Sequence, residues 1–191
     1  DPAYTEWGGA LAHRSGGANA WSVLSGDPER DLVFVPTGSA APDYYGALRL
    51  GNNRHANSIV ALRGSTGDVV WSFQTVHHDL WDYDNAASPA LASVTQNGVR
   101  VPVVIQATKT GMLFVLHRDT GRPVLPVEER RVPQTDIPLE STSPTQPFTV
   151  ATPSLSPHRF TVDEVWGITD EDTAACRAAI EGLRNEGIFT P

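Results

Sequence analysis

The segment ALRGSTGDVVW at residues 61–71 returns as VLHRDTGRPVL at residues 115–125, with Thr-Gly at the same offset between two apolar stretches. A period of 54 residues constrains the fold more than any composition does, because a unit that recurs must pack against its own copies. The glycine supplies the positive φ that a tight reversal requires. One strand-Thr-Gly-strand could be an ordinary hairpin. Two in register, the first closed by Trp71, predict repeated antiparallel blades, with room in each period for four strands and a long loop.

The strands follow from apolar runs bounded by turn residues. Trp21–Leu24 reads as a first strand, closed by the turn Ser25-Gly26-Asp27-Pro28, and Leu32–Val35 as a second. Gly38 to Asn57 is loop. Ser58–Leu62 and Val69–Phe73 complete the blade, with Val69, Trp71 and Phe73 on one face. Val101–Gln106, Met112–Leu116 and Val124-Leu125 begin the next. The fold class is therefore all-β, a partial β-propeller of about two four-stranded blades. Residues 1–20 read as loop, 21–127 as the blades, and 128–168 as an ordered excursion too rich in Pro, Ser and Thr for a regular sheet. Residues 169–187 read as a helix capped by Thr169 or Asp170 and ended by Gly187. Its narrow stripe of Cys176, Ile180 and Leu183 is expected to pack, burying the cysteine.

The balance of 14 basic against 22 acidic residues gives a formal charge of -8, which repels phosphate backbones and argues against a nucleic-acid partner. Cys176 is the only cysteine, so the chain holds no internal disulfide and no cysteine-rich metal cluster. No stretch has the length of a membrane span, and Asp1-Pro2-Ala3-Tyr4 does not read as the start of a signal peptide. A processed or cut chain is the expectation.

Chemistry concentrates in Thr75-Val76-His77-His78-Asp79-Leu80-Trp81-Asp82-Tyr83-Asp84, which follows the Trp71 strand. A carboxylate here could take a hydroxyl proton or hold a hard cation. Asp79, Asp82 and Asp84 could equally cap turns while Trp81 packs between blades. The spacing lacks the glycine and distal glutamate of an EF-hand. Lys109 lies on a turn between two strong strands, where a lysine is either solvated or aimed at a ligand. Trp21 either joins the core or offers a flat face to a planar ring.

Five stretches carry a resemblance: WSVLSGDPERDLVFVPTGSAAPDYYG (21–46), QTVHHDLWDYD (74–84), ATKTGMLFVLHRDTGRPVLPVEE (107–129), SPTQPF (143–148) and DEVWGITDEDTAACRAAIEGLRNEGIFTP (163–191). Together they resemble the dehydrogenases that use pyrroloquinoline quinone, and most nearly the membrane-bound glucose dehydrogenase branch. HHDLWD with the later Thr-Lys-x-Gly is the specific part. The resemblance implies an eight-bladed propeller with the quinone in its axial funnel, of which this chain is an internal section. It implies Asp79 as catalytic base, Lys109 as the group reaching the quinone oxygens, and Trp21 as the floor beneath the quinone ring. His78 is implied to shape the site. A Ca²⁺ or Mg²⁺ ion would be held by Asp79 and by Ser39, which stands where the family usually has asparagine.

The implied reaction is oxidation of a sugar, glucose or another aldose, with hydride passing to the quinone and electrons onward to ubiquinone. The alcohol-oxidising branch, with a cytochrome acceptor, is the nearest alternative. The implied location is the periplasmic side of the bacterial inner membrane. Rival readings are a non-catalytic propeller scaffold, and a structural metal module centred on Asp79, Asp82 and Asp84. Isolated from the remaining blades, the chain is expected to be inactive and to self-associate through uncovered sheet faces.

Overall fold

A computed structural model describes residues 5–191. The sequence repeat recurs in it bond for bond. In the first turn the Arg63 amide donates to Asp68 O (2.8 Å), Thr66 N to Arg63 O (3.3 Å) and Gly67 N to Arg63 O (2.7 Å). Fifty-four residues on, His117 N donates to Arg122 O (2.8 Å), Thr120 N to His117 O (3.2 Å) and Gly121 N to His117 O (2.8 Å). Gly67 and Gly121 take φ of 80° and 67°, the left-handed region in which a Cβ is strained.

Eleven short strands form among the described residues: β1 (Gly16–Gly17), β2 (Ser25–Asp27), β3 (Leu32–Pro36), β4 (Ala40–Ala41), β5 (Ser58–Arg63), β6 (Val69–Gln74), β7 (Ala90–Gln96), β8 (Val99–Ala107), β9 (Leu113–His117), β10 (Val127–Arg131) and β11 (Thr145–Thr149). The first blade is the antiparallel sheet β2-β3-β5-β6, and the second is β7-β8-β9. The second blade's outermost strand shrinks to a bridge between Leu116 and Pro123, since proline offers no ladder donor. Alternation in β3 sends Leu32 and Phe34 into a core shared with Ile59, Ala61 and Trp71 of one blade and Val104, Phe114 and Leu116 of the other.

Two contacts lock the blades. Trp71, on β6, donates its indole N–H to Arg118 O (3.0 Å), and its ring lies so close over Gly121 that an added Cβ would sit 2.6 Å from Cδ2. Arg118, just past β9, reaches back to Asp27 on β2 with Nη1–Oδ2 at 2.7 Å.

Several expectations need correction. The first strand of the first blade is Ser25–Asp27, the stretch read as a turn, and the apolar run Trp21–Leu24 stays outside the sheet with Trp21, Val23 and Leu24 exposed. Val69 is exposed too, because a bulge at Val70 breaks the alternation: Ala61 pairs with Trp71 but Leu62 with Val69. Strand β7, ALASVTQ, carries no strong apolar signal and is not among the strands expected. The Pro-rich excursion contains a regular ribbon, β10 paired with β11, in which Pro147 stands opposite Glu129. The first twenty residues include a 3-10 turn at Gly9–Arg14 and strand β1, while residues 1–4 of that loop lie outside the described part. The C-terminal α-helix, α1 (Asp170–Glu181), is capped by Thr169 as expected but ends at Gly182 rather than Gly187. It buries no residue, and Cys176 is exposed, because its stripe finds no sheet to cover it.

Candidate active site

The acidic segment leaves β6 and crosses the end of the first blade before β7 begins. Its geometry is set by Asp79, only 1% exposed, which folds the turn around its own carboxylate. Oδ1 accepts the Trp81 amide (2.9 Å); Oδ2 accepts the Tyr83 amide (2.7 Å) and Asn57 Nδ2 (2.7 Å). Burial pushes the Asp79 carboxyl up, against the Trp81 amide, Ser39, the Tyr83 amide and Asn57, which favour the ionised form. Behind it the fully buried Arg49 guanidinium donates to the Asp79 carbonyl and, at 2.8 Å, to Asn53 Oδ1.

With the turn closed this way, Asp82 and Asp84 project to the same side and meet Lys109. Its ammonium contacts Asp84 Oδ2 at 2.9 Å, Asp82 Oδ2 at 3.3 Å and the Asp82 carbonyl at 2.8 Å. Lys109 is the only lysine in the chain, so this amine is not one of a solvated surface population. Its pKa is raised: burial works against the charge, but Asp84 and Asp82 outweigh it. The two carboxylates part company. Burial and the neighbouring Asp84 charge push Asp82 up against the pull of Lys109. Burial also works against Asp84, yet Lys109 and the Ser39 amide take it below the usual range. Asp84 is thus held the more firmly ionised of the pair and Asp82 the readier to take up a proton.

Trp21 reaches the same place from the other side of Gly38. A Cβ on Gly38 would strike Asp84 Oδ1 and stand 3.3 Å from Trp21 Nε1, so only glycine lets indole and carboxylate approach. Trp21 is 60% exposed, which excludes the core role and leaves much of its indole open on the side of Gly38 where Asp84 lies. Ser39 follows, giving its amide to Asp84 Oδ1 (2.5 Å) while its buried hydroxyl near Asp79 has no partner in hydrogen-bonding geometry.

Trp21, Ser39, Asp79 and Lys109 therefore gather around Gly38 and the acidic turn. His78 does not join them. Its ring turns to the loop at 46–51, with Nδ1 2.5 Å from Gly51 O, and burial holds its pKa down. Asp79 differs from its expected role in that its carboxylate is shut from solvent and engaged by three donors, whereas Asp82 and Asp84 flank the amine. The Asp-x-Asp spacing, interleaved with Trp81 and Tyr83, was the available signal for that division of faces. Among the described residues no three His, Cys, Asp or Glu side chains form a metal cluster, which removes the structural module of Asp79, Asp82 and Asp84.

The chain is similar to several quinone-dependent dehydrogenases. The chain is 43% identical to the quinoprotein glucose dehydrogenase of Escherichia coli (strain K12) over 91% of its length and 22% of that protein. It is 42% identical to the glycerol dehydrogenase large subunit of Gluconobacter thailandicus over 92% of its length and 24% of that protein. Among solved structures it matches the quinohemoprotein alcohol dehydrogenase from Comamonas testosteroni with a TM-score of 0.61 at 28% identity, covering 78% of this chain and 22% of that one. The chain thus spans less than a quarter of these relatives. The profile of the PQQ glucose/ethanol/alcohol dehydrogenase β-propeller domain matches residues 1–191 throughout, and the chain belongs to that family.

Proposed function

We propose that this chain contributes one wall of the active site of a quinone-dependent dehydrogenase acting on a sugar, with glucose or another aldose as substrate. The observation that carries the reading is the single lysine held between two carboxylates, one of which, Asp84, shares the Gly38 backbone with the exposed indole of Trp21. Those residues fit pyrroloquinoline quinone: a flat ring for stacking, and an ammonium for its oxygens. Ser39 Oγ, buried and unpartnered near Asp79, fits a hard cation such as Ca²⁺ or Mg²⁺, which takes oxygen ligands.

The quinone, when bound, supplies the two-electron oxidation. Lys109 presents positive charge where negative charge grows on oxygen, and Asp84 keeps that amine protonated and in place. Trp21 restricts a planar group to one orientation. Asp82 takes the substrate hydroxyl proton, a role better suited to it than to Asp79, because it is part exposed, raised in pKa and in contact with the Lys109 ammonium. Asp79 then acts by shaping the turn. Electrons pass to ubiquinone, and the site faces the periplasm at the bacterial inner membrane. An alcohol substrate with a cytochrome acceptor is the second reading, favoured by the structural likeness to a quinohemoprotein alcohol dehydrogenase.

The test uses the full-length protein, titrated with the quinone in the presence of Ca²⁺ while tryptophan emission is followed. Saturable quenching is expected, and Lys109→Met is expected to weaken binding about tenfold or more, the loss of one charge-assisted contact. Glucose, glycerol and ethanol with a dye acceptor then rank the substrates. Absence of quinone binding to the wild-type protein would overturn the reading.

A further inference from the structure

The acidic turn has a second side that the chemistry above does not use. While Asp82 and Asp84 face Lys109, Trp81 and Tyr83 turn onto the segment 186–190, more than a hundred residues away in sequence. Trp81 Nε1 donates to Thr190 O at 2.7 Å, and the Tyr83 hydroxyl donates to Ile188 O at 2.6 Å. Between these two carbonyls the ring of Phe189, 2% exposed, enters edge-on, with centroids 5.2 Å from Trp81 and 5.9 Å from Tyr83. Its other edge meets Phe148 of β11 at 5.4 Å. The segment is braced within itself: Glu186 N donates to Thr190 Oγ1 (2.8 Å), which donates to Gly187 O (2.7 Å), around Gly187 at φ 116°.

Two rings at alternate positions are thus pinned from outside, and the Asp79 carboxylate pins the amides of the same two residues from inside. Residues 82 and 84 have little freedom left. We propose that segment 186–190, through Phe189, is a positioning device that sets where Asp82 and Asp84 stand relative to Lys109. Phe189 is a positioning residue: it touches neither the amine nor the carboxylates. The inference rests on the roles proposed above for Asp82 and Lys109. A ring that served only the core would lower stability when altered and leave the chemical step alone.

The test compares Phe189→Leu, which keeps apolar bulk without the ring edges, with Tyr83→Phe, which removes one hydroxyl. In the cofactor-free full-length protein, hydrogen exchange of the 79–85 segment is read by mass spectrometry. It should quicken at least about fivefold in both variants, while β5 and β8 stay unchanged. In the loaded protein, kcat should fall about tenfold with KM within about twofold, because small misplacement of reacting groups penalises the chemical step. The double variant should lose less than the product of the two, since both act on one brace. Unchanged exchange at 79–85 in both variants overturns the brace, whatever happens to activity. Faster exchange with unaltered kcat overturns the positioning role. Failure of the wild type to oxidise any sugar or alcohol would instead sink the proposed function, and the exchange measurement would still judge the brace.

Discussion

Replacing Gly121 by alanine probes what holds one blade to the next. The new Cβ is strained in two ways. At φ 67° an L side chain costs about 1–2 kcal/mol in the left-handed region. It would also sit 2.6 Å from Trp71 Cδ2, and forcing a methyl into packed surroundings adds roughly 1–3 kcal/mol. The expected loss is therefore about 2–5 kcal/mol. Gly67 is the internal control, because it occupies the same turn at φ 80° with no atom within 4 Å of an added Cβ. Its alanine variant should lose only the backbone part, about 1–2 kcal/mol. Urea unfolding of the 191-residue chain, at one concentration and with slopes compared, gives both numbers. In a Trp71→Leu background the Gly121→Ala cost should shrink to that of Gly67→Ala, since the ring it strikes is gone. Equal losses for the two glycines in the wild-type background, within about 0.5 kcal/mol, would refute the docking argument.

Asp27→Asn should destabilise by roughly 3 kcal/mol at neutral pH by leaving Arg118 without its anion. Burial alone would raise the Asp27 pKa, but Arg118 and Arg30 bring it below 3.8, so its stabilising effect is full above that value and lost as pH falls through the depressed one. The difference between wild type and variant should therefore close only in strong acid, which urea melts across pH would reveal. Asp82→Asn should cut turnover of the loaded full-length protein by about a hundredfold or more with little change in melting temperature, whereas Asp79→Asn should lower the melting temperature as well. Ser39→Ala removes a buried hydroxyl beside Asp79, so stability should fall by no more than about 1 kcal/mol while calorimetry shows weaker Ca²⁺ binding. Cys176 should react with a thiol reagent without denaturant; a protected thiol would contradict its exposed place on α1.

Features with a local physical cause were legible in the sequence. The Thr-Gly turns at 66–67 and 120–121 require glycine, and both formed where the repeat placed them. Strands β3, β5 and β9 are buried enough to read as apolar runs. Misreadings arose where a residue's partner lies far along the chain. Trp21 and its apolar neighbours look like a strand, yet they face outward and leave the ladder to Ser25–Asp27. The helix stripe of α1 promises a packing face that no described sheet meets. The prolines of the 128–168 stretch argue against a sheet, but a two-stranded ribbon has outward-facing positions, such as Pro147, where no donor is required. In the site, alternating Asp and aromatic residues signalled two faces. Which carboxylate would be closed off by Asn57, and which would meet Lys109, depended on contacts more than twenty residues away.

The contrast between the two turn glycines reaches beyond this pair of blades. Gly121 is a seat already filled by an indole from the blade before it, and Gly67, built on the same three hydrogen bonds, offers the same seat open. The contact has a direction: the first blade lends its ring forward and keeps its own seat open, while the second carries Leu125 where the first carries Trp71, giving the pair a polarity like tiles that overlap one way. In the full-length protein, alanine at Gly67 should become as damaging as alanine at Gly121.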